Sequence, residues 1–280
     1  MTIPPHGPQG ADLADARTPS HRWGIRHLIL GASLLSLILA GLTSVLVLTG
    51  QIGGVARPAD WPPVAADQAE TRLLPVVIAD GEGVYTWQRL DSTGQPIRYD
   101  PCQPIHWVYN PAGQIPAGER LIADAVEEIS ARTGLVFVYD GHTTETWTKP
   151  RGFTLDRYGD RWAPVLIAWG EEATTPVLTG DVAGAAGSAS VGLNRSEQAL
   201  VTGQVVFDRE QLLLAQARPD QQGQAYGVML HELAHLVGLG HVADPTQLMY
   251  HAALPDVTTF AAGDLQGLAE AGNGPCHPHS

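Results

Sequence analysis

The chain has 280 residues, 44% of them hydrophobic and 16% charged, which suits one substantial domain with appendages and excludes a wholly disordered chain. A formal net charge of −13 argues against a nucleic-acid partner, which would need Lys and Arg clustered against phosphate. The two cysteines, Cys102 and Cys276, form no CxxC pair, so a metal held by paired thiolates is not expected.

Residues 1–27 are rich in Pro, Gly, Ala and Asp without apolar periodicity and read as a disordered cytoplasmic tail. Residues 28–49 carry no charge; as a helix they would be roughly 33 Å long, enough for a hydrocarbon core of about 30 Å. Arg17, Arg22 and Arg26 precede this run and only Arg57 follows closely, so the positive-inside rule leaves the N-terminus in the cytoplasm and exports the remainder. The reading is a retained transmembrane signal anchor in the cell membrane, with a cleaved signal peptide as the alternative; the run is longer than the roughly 7–15 apolar residues of a signal peptide. Residues 50–95, with Gly53-Gly54 and Pro62-Pro63, read as an extracytoplasmic stalk containing a short extended segment at 84–88, and 96–280 as the folded domain.

Within that domain, residues 105–109 predict a strand. Pro116 opens a helix with Leu121, Ile122, Ala125, Val126 and Ile129 on one face, closed by Gly134. Further strands are expected at 135–139, 165–169 and 204–208, with a thin, small-residue edge strand at 180–193. A long helix is predicted from about Gln221. The fold class is α/β: a twisted, mostly parallel sheet backed by two long helices, with an irregular C-terminal portion.

The chemistry is concentrated in residues 231–241, His-Glu-Leu-Ala-His-Leu-Val-Gly-Leu-Gly-His. On a helix, His231 and His235 stand at i and i+4, so both imidazoles leave one face and can share a metal ion. Glu232 lies beside the first ligand, placed to reach a water on the metal without ligating it. A straight helix cannot bring a third residue to the same point. Gly238 tolerates the positive φ that ends a helix and turns the chain, so His241 can be the third ligand. Three imidazoles with an open position describe a catalytic rather than a structural zinc. The competing reading is surface histidines on an amphipathic helix; Leu233, Leu236, Val237 and Leu239 argue that this helix is buried, where His and Glu need partners.

HExxHxxGxxH followed by Met249, in Gln247-Leu248-Met249-Tyr250, resembles the metzincin signature, and the short spacing from His241 to Met249 is most similar to the matrixin branch. That resemblance implies a metzincin-type zincin fold with a methionine turn and a final helix within residues 260–272. It also implies one catalytic Zn2+ on His231, His235 and His241, Glu232 as general base, and Met249 as an apolar floor beneath the histidines. The implied activity is that of a zinc endopeptidase acting on peptides in extended conformation. No Pro follows Tyr250, no propeptide with a cysteine switch is visible, and loops for structural zinc or Ca2+ are not recognisable, so calcium stays open. Two other functions also stay open: a cell-wall peptide amidase, and a non-catalytic surface module with a vestigial site.

In the matrixin fold the start of the domain packs near the last helix, so the resemblance makes a Cys102–Cys276 disulfide reasonable outside the cytoplasm. The alternative is Cys102 latching the zinc as a thiolate. Among other candidates, His251 is the best for a substrate contact, Asp244 could orient the loop after His241, and Tyr250 could donate a hydrogen bond or form a pocket wall.

Overall fold

The computed structural model divides into residues 1–56 and 57–280 and describes residues 58–277, apart from 195, 196 and 222. The predicted tail and anchor at 1–49 lie outside the described residues. Among the latter, no helix is long and apolar enough to cross a membrane.

The sheet is built from β1 (Arg98–Tyr99), β2 (Ile105–Tyr109), β3 (Phe137–His142), β4 (Val165–Gly170), β5 (Gly184–Asn194) and β6 (Glu197–Asp208). Its order is β1-β6-β4-β2-β3, all parallel, with β5 antiparallel along the other side of β6. β4 is the central apolar strand, buried at every position, as parallel strands covered on both faces are. Among the described residues the α-helices are α1 (Gly118–Thr133), α2 (Arg209–Ala217), α3 (Gln224–Leu236) and α4 (Ala262–Gly272). α1 ends where Gly134 takes φ 68° and returns its N–H to the Ser130 carbonyl.

Alternation along the strands separates two cores. Trp107, Tyr109, Val165, Ile167, Val205 and Phe207 face the helices, where Ile122, Ile129, Leu230 and Leu233 are buried against them. Val108, Leu166 and Ala168 face the other way, packed with Tyr158 from the excursion between β3 and β4. That excursion is polar in sequence and largely exposed, but two of its charged groups are buried. Arg151 donates to both Glu145 oxygens, at 2.6 and 3.2 Å, and to Thr202 Oγ1, Gly203 O and Pro164 O; both side chains of the pair are nearly inaccessible.

The structure departs from expectation in four places. β3 starts at Phe137 rather than 135 and forms a partly exposed edge, because only β2 pairs with it. β6 begins seven residues before the predicted 204, since β5 pairs along its whole length. α2 was not anticipated, although Asp208 marks its start by accepting the Gln211 N–H at 2.8 Å. Finally, 58–95, read as stalk, lies on the domain. Ala69 and Leu73 donate their N–H groups to the Cys102 and Pro101 carbonyls, Arg72 reaches the Gly272 carbonyl, and Trp61 packs edge-on against Trp162.

Cys102 and Cys276 are joined by a disulfide across 174 positions. Closing a loop that long stabilises by about 5 kcal/mol in the chain-entropy model.

Candidate active site

α3 carries the first two histidines on its cleft side, with Met229, Leu230, Leu233 and Ala234 buried on the other. His231 Nδ1 is 2.6 Å from the Leu248 carbonyl and His235 Nδ1 is 2.7 Å from the Leu239 carbonyl. A carbonyl can only accept, so each Nδ1 carries the proton and each Nε2 keeps its lone pair for a metal. The helix ends at Leu236. Gly238 takes φ 108°, and the chain turns so that His241 Nε2 comes within 3.2 Å of His231 Nε2 and 3.0 Å of His235 Nε2. Three nitrogens bound tetrahedrally to zinc at about 2.0–2.1 Å would stand roughly 3.4 Å apart. The donor set therefore fits one such ion, and the three histidines form a possible metal site.

Burial pushes His231 down to about 4; for His235, burial and then the neighbouring His231 push it to about 3, and burial also lowers His241. All three imidazoles are thus held neutral, as ligands must be. Glu232 is 6% exposed, and its Oε2 has no hydrogen-bond partner. Burial raises its carboxyl to about 8. A buried carboxylate oxygen without a donor is costly unless something at the site satisfies it. Gly184, at the start of β5, leaves the space that the Glu232 side chain occupies: a Cβ there would lie 2.7 Å from Glu232 Cγ.

Met249 is buried, and its turn is fixed by Asp264 of α4. That carboxylate accepts from Leu248 N at 2.8 Å, Met249 N at 3.2 Å and Ala261 N at 2.9 Å. Since Leu248 O holds His231, the last helix orients the first ligand through this turn. The histidines and Glu232 open into a cavity of about 990 Å³, with Ala183–Ala186 along one wall and Leu212, Val228, Leu254 and Val257 as apolar lining.

His231, His235 and His241 are thus brought to one point with Glu232 on the same cavity wall, Gly238 stands at the turn between them, and Met249 is buried in the turn that follows. His251 lines the cavity with its ring 6.5 Å from that of His241. Asp244 is occupied in its own turn, accepting from Thr246 N and Thr246 Oγ1. The Tyr250 ring lies 4.2 Å from that of His251, tilted by 51°. Cys102 is buried and paired with Cys276, so its sulfur is not offered as a free thiolate. Sequence reasoning did not find Gly184, Thr86 or the role of Asp264. The signals were slight: a run of small residues at 183–187, and an acidic residue in the first turn of a short helix.

Residues 145–270 match the family model for matrixin. The resemblance to metzincin peptidases therefore holds over the span containing the histidines, the methionine turn and most of α4, and that family implies a catalytic zinc. No curated protein matches the chain. Among solved structures, the archaemetzincin of Methanopyrus kandleri aligns with 59% of this chain and 93% of its own, at 19% identity and a TM-score of 0.38.

Proposed function

We propose that this chain is a zinc-dependent endopeptidase. The observation that carries the reading is the convergence of three neutral imidazoles on one point beside a buried, unpartnered Glu232 carboxylate, in a cavity large enough for a peptide. His231, His235 and His241 would hold the ion. When bound, zinc supplies Lewis acidity, lowering the pKa of water towards about 7 and polarising a carbonyl. Glu232 would accept the proton of the attacking water and pass it to the departing amine. Among the described residues β5 pairs with β6 alone, and its first residues line the cavity, so its other edge can take a peptide as an added strand. That geometry favours extended chains over compact small molecules. Met249 and Gly238 shape the ligand set, and the Cys102–Cys276 link fits an exported domain.

The uncharged run at 28–49 supports anchoring in the cell membrane with the catalytic domain extracytoplasmic. Resistance to alkaline carbonate extraction at full length would support the anchor, and release as a shortened soluble form would refute it.

The deciding variant is Glu232→Ala, which leaves the three imidazoles in place. Zinc content and melting temperature should hold, while peptide hydrolysis falls about 10²–10⁴-fold, the usual worth of a positioned general base. A variant that cleaves as fast as wild type would refute the assignment of Glu232. A wild-type chain that carries zinc and cleaves no peptide in a broad library would refute the enzyme.

A further inference from the structure

The three histidines are not held alike. His231 and His235 stand on a helix, each with its Nδ1 on a carbonyl. His241 is exposed and lies beyond the helix, so its position depends on what holds the backbone of residues 238–242. Inside the motif region, Leu239 N reaches the Ala234 carbonyl at 3.1 Å and Val242 N the Met249 carbonyl at 2.9 Å. Gly238 N also reaches the His235 carbonyl at 3.0 Å, and the Leu239 carbonyl accepts from His235 Nδ1 at 2.7 Å. Further hydrogen bonds come from far upstream. Gln88 N donates to Gly238 O at 2.9 Å, Gly240 N to Thr86 O at 2.8 Å, and Thr86 Oγ1 to His241 O at 2.7 Å; Trp87 forms an antiparallel bridge with Leu239.

This strap is itself anchored. Val84 O accepts from Gln247 Nε2 at 3.0 Å. The Trp87 ring lies 5.1 Å beneath the Arg98 guanidinium, which is tied to the Glu270 carbonyl of α4 at 2.8 Å. The approach to the histidine loop is close: a Cβ on Gly240 would stand 2.6 Å from Thr86 Oγ1 and 3.0 Å from Trp87 O. Thr86, Trp87 and Gln88 also border the cavity.

We infer that residues 84–88 position the third metal ligand, with the Thr86 hydroxyl on the His241 carbonyl as the specific device. The inference rests on the zinc reading above. Thr86 is a positioning residue that acts through the His241 carbonyl. Groups that orient a ligand typically govern metal affinity by about 10–100-fold, and a bond to the ligand's backbone rather than its ring belongs near the lower figure.

The test uses the full-length chain in detergent. Zinc affinity is measured by competition with a chromogenic chelator, and the ligand field by the visible absorption of the cobalt(II)-substituted protein. Thr86→Val keeps the shape and removes the donor; it should weaken zinc about tenfold and alter the cobalt spectrum. Thr86→Ser restores the donor and should recover both. Should Thr86→Val fail to fold, Gly240→Ala perturbs the same contact from the other side and should show the same loss. If the folded variant (Thr86→Val, or Gly240→Ala in its place) binds zinc as tightly as wild type with an unchanged cobalt spectrum, the inference is overturned while the peptidase reading stands. A wild-type chain that takes up no zinc overturns the peptidase reading itself.

Discussion

Gly184 offers the sharpest probe of how the Glu232 carboxylate, the proposed general base, is placed. Gly184→Ala adds one methyl group at a position without positive φ, so the backbone of β5 tolerates it. The new carbon would lie 2.7 Å from Glu232 Cγ and 3.1 Å from both Cδ and Oε1, where ordinary contact is 3.4–4 Å. Relief requires the Glu232 side chain, or the start of β5, to move by about 1 Å. β5 is tied there by the Asp208 N–H on the Ala183 carbonyl at 2.9 Å, so much of the shift falls on the carboxylate. Misplacing a catalytic group by about 1 Å can cost about 10²-fold. We therefore expect kcat on a fluorogenic peptide to fall roughly 10–100-fold, with zinc stoichiometry unchanged. Gly187→Ala is the control on the same strand, because a Cβ there meets nothing within 4 Å; it should be silent. Wild-type turnover by Gly184→Ala with zinc bound, or equal damage from Gly187→Ala, would refute the reasoning.

Two further predictions concern what lies away from the cleft. Arg151→Met strands the Glu145 carboxylate in the interior and should cost about 3–5 kcal/mol in urea denaturation, whereas Arg151→Met with Glu145→Leu should cost clearly less; equal losses would contradict a buried ion pair. His106 stands between Asp140 and Asp67, 2.8 Å from each, with Arg161 on the far side of Asp140. Burial lowers its pKa, but the hydrogen bonds to Asp140 and then Asp67, with their charges, outweigh burial and raise it above the ordinary value of about 6.5. The stability this confers is complete below the unfolded pKa and is lost as pH rises through the folded one. The gap in stability between wild type and His106→Gln should therefore narrow from pH 6 to pH 9, and an unchanged gap would count against the charged pairing.

The candidate site was legible because its constraints are local. Two histidines four apart, a glycine that can turn the chain and a third histidine three residues later define one point in space without reference to the rest of the fold. Met249 followed from the resemblance to the metzincin signature rather than from a local constraint. The central strand of 165–169 and the first helix were equally plain, each having an uninterrupted period. Residues 58–95 were not legible. They have no periodicity, and they dock through backbone carbonyls and close approaches such as that of Gly240 to Thr86, which leave no mark in hydropathy. The excursion holding Arg151 and Glu145 misleads in the opposite sense, since those two polar residues signal an interior network rather than a solvated loop. The early half of β6 was hidden by Gln198, Thr202 and Gly203. Thr202 is polar because it accepts from Arg151 and donates to Ala163 O, and Gly203 is bare because Leu236 and Ser188 crowd it.

The disulfide also decides where a fusion partner can be attached. The Cα atoms of Cys102 and Cys276 are 5.4 Å apart, and the next residue is fastened as well: His277 N donates to Asp100 Oδ2 at 2.9 Å, and Gln68 Nε2 to His277 O at 3.0 Å. The chain thus reaches residue 277 beside the 66–69 segment and the start of β2. None of residues 66–73, 99–102 or 273–277 borders the cavity above the histidines. Residue 277 is therefore fastened clear of the cavity above the histidines, so a handle placed after it starts outside that cavity, and reduction of the link removes the covalent part of the fastening.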